Sequence, residues 1–198
     1  MAQEFSGYFD SVDGDVREYD AADLKLLLSS AVQNGVTSHY GGGLCVSADG
    51  RSMDTAVSVG GVVIDGFIYV LSDDGGAAKT FTHQPSGSAD RIDRVVARLD
   101  LNANSRRITL AVLEGTPGAD PQPPQLTRNA QVYELSLAQV RIRAAAFFVE
   151  AGDVTDERGD ESVCGYALPV WLSDERLNQR FASGEVITAE EINAIVAG

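Results

Sequence analysis

Carboxylates dominate the groups able to do chemistry. Asp10, Asp13, Asp15 and Asp20 crowd an N-terminal stretch, the composition of a calcium loop. An EF-hand loop needs oxygen donors at its first, third and fifth positions, glycine at the sixth and glutamate at the twelfth, and this spacing lacks that pattern. The stretch reads as a solvated turn held by Asx-type hydrogen bonds. The two histidines, His39 and His83, lie in Gly- and Ser-rich surroundings with no third ligand at zinc spacing. No Gly-x-Ser-x-Gly elbow presents a serine nucleophile. Cys45 sits on an apolar strand with His39 six residues before it, and packing explains it better than catalysis. The glycine runs Gly41–Gly43, Gly60-Gly61 and Gly75-Gly76 lack the Lys-Ser/Thr ending or the strand–GxGxxG–helix setting of a phosphate cradle. Paired carboxylates admit a glycosidase, but a single tryptophan, Trp171, offers little stacking surface for sugars. The sequence therefore predicts no catalytic residue, no cofactor and no metal.

One charged set stands out. Asp90, Arg91, Asp93, Arg94, Arg98 and Asp100 alternate in sign along one strand-like run. Such charges pair across a sheet within one chain, or across a seam to a neighbouring subunit. Arg91, Asp93, Arg94 and Arg98 are the residues to watch for a seam. Phe5, Tyr8 and Phe9 form a second set, aromatic anchors in an N-terminal arm.

The elements that would carry these residues follow from periodicity. Asp20 is a fitting N-cap with Asp23 three residues on, and Leu24, Leu27, Leu28 and Ala31 form one apolar stripe, so a helix runs from there to a stop at Asn34-Gly35. From Gly41 the period becomes two. Leu44, Val46 and Ala48 alternate before an Asp49-Gly50 turn, and Thr55 to Val59 alternates again. Asp65-Gly66 between Val62-Val-Ile64 and Phe67-Ile-Tyr-Val70 predicts a type I′ hairpin. Residues 72–78 and 84–90 read as polar connectors. Arg91 to Leu101 reads as a long strand with Val95, Ala97, Leu99 and Leu101 on one face, returning through Asn102–Arg106 to Ile108, Leu110 and Val112. Four of the six prolines fall in 115–124, an extended loop. Strands are expected at 130–137, at 140–143 and at 144–150. Ser173 and the capping box Thr188-Ala-Glu-Glu191 open two short helices, the second with an Ile192, Ile195, Val196 stripe.

The fold class expected is α+β, mainly β: an antiparallel sheet or sandwich body over 1–165 with one amphipathic N-terminal helix, and a short helical tail over 166–198. The 198-residue length suits one domain with a small appendage, and 20 glycines suit a turn-rich β protein. A net charge of −14 and only two lysines, Lys25 and Lys79, argue against nucleic acid and against anionic membranes. No window approaches a membrane span. The start, Met1-Ala-Gln-Glu-Phe5, has no basic or apolar leader region, so Cys45 and Cys164 are expected as free, reduced thiols of a chain made in a cytoplasm.

Four segments together resemble a family of phage and prophage tail or baseplate proteins of viruses of Gram-positive bacteria, including the N-terminal module of baseplate upper proteins. They are Phe9-Asp-Ser-Val-Asp-Gly-Asp-Val-Arg-Glu-Tyr-Asp-Ala-Ala-Asp23 with the helix and Asn34-Gly-Val36; Val62-Val-Ile-Asp-Gly-Phe-Ile-Tyr69; Asp90-Arg-Ile-Asp-Arg-Val-Val-Ala-Arg-Leu-Asp100 with Ile108–Val112 and Gly115-Thr-Pro117; and Leu126–Leu137 with Val154–Arg158 and Cys164-Gly165. The resemblance spans about residues 5–165 and departs at Thr37–Gly43, where the family tends to carry a Pro/Asn turn. It implies a virion structural protein of the tail or baseplate, made in the host cytoplasm, self-assembling (a trimer as first expectation), scaffolding host-attachment parts and meeting other tail or baseplate proteins. The rival reading is a carbohydrate- or receptor-binding module of the same apparatus, with Tyr40, Tyr166, Trp171 and His39 as its aromatic surface and a host surface glycan as its partner.

Overall fold

The computed structural model describes residues 10–16, 18–38, 40–72 and 78–170. Across these described residues the chain is mainly β, with antiparallel strands and one α-helix. Phe5, Tyr8, Phe9, His39, Trp171 and both expected C-terminal helices lie outside the described residues.

Helix α1, Ala21–Ala31, begins where its cap dictates. The Asp20 carboxylate accepts from the amides of Ala22 and Asp23, and the Asp23 carboxylate accepts from the Asp20 amide, so two free donors are met reciprocally. The helix ends at Val32, not at Asn34-Gly35. Gly35 instead opens strand β1, Gly35–Thr37, with φ +154, because a side chain there would run into the backbone of residues 165–167.

Strand β1 pairs with β4, Gly60–Ile64, and β4 pairs with β5, Phe67–Leu71. The β4–β5 turn carries Asp65 at φ 51 and Gly66 at φ 74, the type I′ geometry that Asp-Gly favours. A second sheet orders β2 (Val46–Ser47), β3 (Asp54–Val57) and β6 (Lys79–Thr82). The third orders β10 (Val154–Asp156), β9 (Val132–Ile142), β7 (Arg91–Asp100) and β8 (Arg107–Leu113). A single apolar cluster draws on all three sheets: Val36, Val62 and Ile64 from the first, Val46 and Val57 from the second, and Val95, Ala97, Leu99, Leu110, Leu135 and Val140 from the third.

Two further expectations are corrected. The two strands expected at 130–137 and 140–143 are one strand, β9. Its register against β7 shifts between Val95 and Val96, where Ala138 and Ser136 are the successive partners and Leu137 is the extra residue of a bulge. Ala144 to Glu150 is not a strand. Ala145 has φ +52, and the segment folds as a loop into a single 3-10 turn, Ala151–Asp153. Strand β7 is buried on both faces, since only Ile92, Arg98 and Asp100 escape full burial. The apolar face of Val95, Ala97 and Leu99 enters the core. The other face carries Arg94, Val96 and Arg98 and is closed by polar pairing.

The cysteines are both free, Cys164 buried and Cys45 half-buried. Burial pushes the Cys164 thiol up to about 12. A thiol so placed holds almost no thiolate, the reactive form. In the folded chain a disulfide reagent should therefore consume one thiol, at Cys45, and the second only in denaturant. Two fast equivalents in native buffer would contradict this placement of Cys164.

Candidate functional site

The chemical groups that sequence reading left apart converge behind the start of β7. Asp93 lies on the same face as Val95, Ala97 and Leu99, a carboxylate continuing an apolar row, and it is 1% exposed. An ionised group there needs partners. His83, one residue past the end of β6, supplies the first: its Nδ1 lies 2.8 Å from Asp93 Oδ2. Arg91, two residues back on the same face, supplies the second, Nε donating to Asp93 Oδ1 at 2.7 Å. The amide of Gly115 supplies the third, at 2.9 Å. Burial alone would raise the Asp93 pKa, but these donors and the Arg91 charge outweigh it and hold the carboxyl below its usual value. On its far side His83 Nε2 lies 3.0 Å from the hydroxyl of Thr55 on β3. A carboxylate only accepts, so Nδ1 is the donor to Asp93, and in the neutral ring Nε2 accepts from Thr55. Arg91 completes the chain, reaching the Gln84 carbonyl at 2.6 Å and Glu114 at 3.0 Å.

Hydroxyl, imidazole and carboxylate thus stand in the order of a nucleophile, its base and the group that orients the base. Access separates this arrangement from a working triad: Thr55 is 0% exposed and His83 2%. What the geometry does is tie β3, the segment after β6, and β7 together through the interior.

Two further cross-links occupy the opposite face of β7. Arg94 grips Glu157 with Nε at 3.2 Å and Nη2 at 3.1 Å, and its Nη1 donates to the Pro124 carbonyl at 2.8 Å. Glu157 also accepts from Gln139 and, by a very short bond, from the Ser136 hydroxyl. Arg98 donates to Glu134 at 2.7 Å, while the other Glu134 oxygen accepts from the Thr127 amide at 2.6 Å. The proline-rich loop is held down by these side chains, since prolines offer carbonyls and no amides. Arg128 fastens its far end, donating to the carbonyls of Glu134, Ser162 and Val163 with its guanidinium over the Tyr133 ring. A groove of about 510 Å³ lies between, lined by Arg94, Gln122, Gln125, Leu126, Arg128 and Ser162, but both its arginines are already committed to protein oxygens.

The residues singled out for a subunit seam are thereby located. Arg91, Asp93 and Arg94 are buried and find their partners inside the chain, the intrachain alternative, and the Arg98 side chain, 35% exposed, pairs with Glu134. Of the aromatic set, Tyr40 and Tyr166 are both exposed. Asp13 and Gly14 make a tight turn closed by paired Val12 and Asp15 backbone bonds, and among the described residues no group of three His, Cys, Asp or Glu is placed to hold a metal. No helix among them is long and apolar enough to cross a membrane.

From sequence alone Thr55 and His83 are not tied to Asp93, and Glu134, Ser136 and Glu157 do not stand out. One signal was available: Asp93 interrupts the apolar alternation of its strand, the mark of a carboxylate with buried partners. Nor does the sequence mark a prominent apolar display on the loop after β9. Phe147 is 81% exposed and Phe148 41%, on a loop pinned from both sides. The Ala144 amide donates to Asp90, Ala145 donates to the carbonyls of Ser86 and Gly87, Val149 is buried and donates to the Ser52 carbonyl, and Arg143 is clamped by Asp153 and Glu150. Neither a scan with family models nor comparison with curated proteins and solved structures finds a match.

Proposed function

We propose that the chain is a structural subunit of a bacteriophage or prophage tail or baseplate, acting by self-assembly and by scaffolding host-attachment parts, and not an enzyme. In this reading the body is a sandwich of the sheets described above with a short helical tail, and the protein belongs to the virion. Its partners are further copies of itself, with a trimer the first expectation, and neighbouring tail or baseplate proteins.

The observation that carries the proposal is the pinned Phe147-Phe148 loop. Large apolar side chains held out into solvent by a well-anchored backbone mark a surface made to be covered by protein. The interior supports the same reading, because its ionisable groups are spent on cross-linking strands. The resemblance of four ordered segments to tail and baseplate proteins supplies the assembly. A net charge of −14 keeps free subunits apart until specific contacts form.

Purified phage or prophage particles from the producing strain provide the test. Peptide mass spectrometry should find the chain there in several copies per particle. Phe147→Ser with Phe148→Ser should reduce incorporation at least tenfold while leaving the melting temperature unchanged, since both side chains are exposed. Particles lacking the chain would overturn the proposal. The rival glycan-binding reading rests on exposed Tyr40 and Tyr166, at 43% and 39%. It would gain if Tyr166→Ala abolished binding to host surface polysaccharide.

A further inference from the structure

Helix α1 is amphipathic in sequence, yet it buries none of its residues. It meets the body sideways. Lys25 lies against the β4–β5 turn, its amine 2.7 Å from Asp65 and 5.5 Å from the centre of the Phe67 ring, and Gly66 leaves room for the Lys25 carbonyl. At 3.6 residues per turn, Leu27 points about 160° away from Lys25 and Leu24 about 100° away. Those two leucines stay 45% and 49% exposed. A helix of 11 residues is too short to stand on its own propensity, so its apolar stripe needs a cover.

The chain itself brings one. Its last described residues run along the end of α1: the Leu168 carbonyl accepts from the Gln33 amide at 2.9 Å, and Pro169 bridges to Val32. The chain thus reaches Pro169 beside the C-terminal end of this helix, and residues 171–198 follow it in sequence. Their sequence carries an apolar stripe of matching period, Ile192, Ile195 and Val196, opened by the capping box at Thr188. We propose that residues 188–198 of the same chain cover α1, with Ile192, Ile195 and Val196 against Leu24 and Leu27. A tether that begins beside the target holds its segment at an effective concentration on the order of millimolar. That favours the chain's own segment over one from a second copy, and the inference stands whether or not the subunit assembles.

Amide hydrogen exchange on the full chain tests it, at two protein concentrations tenfold apart. Amides of 190–196 should be protected to the same degree at both concentrations. Leu24→Asp with Leu27→Asp should speed their exchange at least tenfold, and Ile195→Asp should do the same to amides of 24–31. The amides of β7 and β9 should not change in either variant. Ile195→Asp lies outside the described body, so it reports even if the leucine pair disturbs folding. Exchange of 190–196 at unfolded rates in the wild type would overturn the proposal, as would protection indifferent to these substitutions. Protection that grows with concentration would assign the stripe to a second copy and equally overturn it.

Discussion

Replacing Asp93 with alanine should destabilise the chain by about 3–5 kcal/mol, the cost of breaking a buried ion pair by removing one member. Arg91 keeps Glu114 and the Gln84 carbonyl, but its Nε and the His83 Nδ1 lose their acceptor, and with side chains 4% and 0% exposed neither atom can turn to water. The Gly115 amide loses its acceptor too. Against a total stability of roughly 5–15 kcal/mol for such a domain, this is a large fraction. Urea denaturation should show the midpoint fall with little change in slope. Asp93→Asn keeps the shape and part of the hydrogen bonding, and should cost less.

The same carboxylate sets an acid limit. Its folded pKa lies below the ordinary carboxylate value because His83, Arg91 and the Gly115 amide together outweigh the desolvation that raises it. A depressed folded pKa gives stability that is fully present above the unfolded value, about 3.9 for aspartate, and lost as pH falls through the lower folded value. Stability should thus drop below about pH 4, and Asp93→Asn should flatten that slope. The flattening is partial, because Asp153 and Asp156 are depressed as well, each by its own arginine.

The second large effect belongs to Arg94. Its removal leaves Glu157 buried with only the Ser136 hydroxyl and the Gln139 amide as donors, and frees the Pro124 carbonyl beneath the proline-rich loop. Arg94→Ala should again cost about 3–5 kcal/mol. Arg94→Lys should recover only part of it, since an ammonium cannot reproduce the two-pronged contact with Glu157. The comparison separates two roles for this charged strand. A subunit seam predicts a changed solution mass at near-normal stability. An intrachain cross-link predicts lost stability with the mass of the surviving folded protein unchanged, and the distances around Arg94 favour it.

How much of this was legible depends on range. The Asp20 cap, the Asp65-Gly66 turn and the β7–β8 hairpin are local events, fixed by residues three or four apart, and all three read correctly. β6 and β10 were missed because Lys79–Thr82 and Val154–Asp156 are short and owe their pairing to β3 and β9. β9 was split because its bulge at Leu137 breaks strict alternation against β7. The apolar run 144–150 looked like a strand, yet Phe147 and Phe148 point into solvent. Periodicity identified the α1 stripe but not the face the body would use, which the Lys25 contacts decide. The interior cross-links were the least legible, since Arg94–Glu157 spans 63 positions and Thr55–His83 spans 28. Only the misplaced polarity of Asp93 announced them.

We propose that this chain assembles with further copies of itself. The most direct test is the solution mass of the full chain by light scattering on a size-exclusion column, over a hundredfold range of concentration. A self-assembling subunit should run as a discrete multiple of 21.0 kDa, with a trimer expected. A mass of 21.0 kDa held to the highest concentration would contradict the proposal.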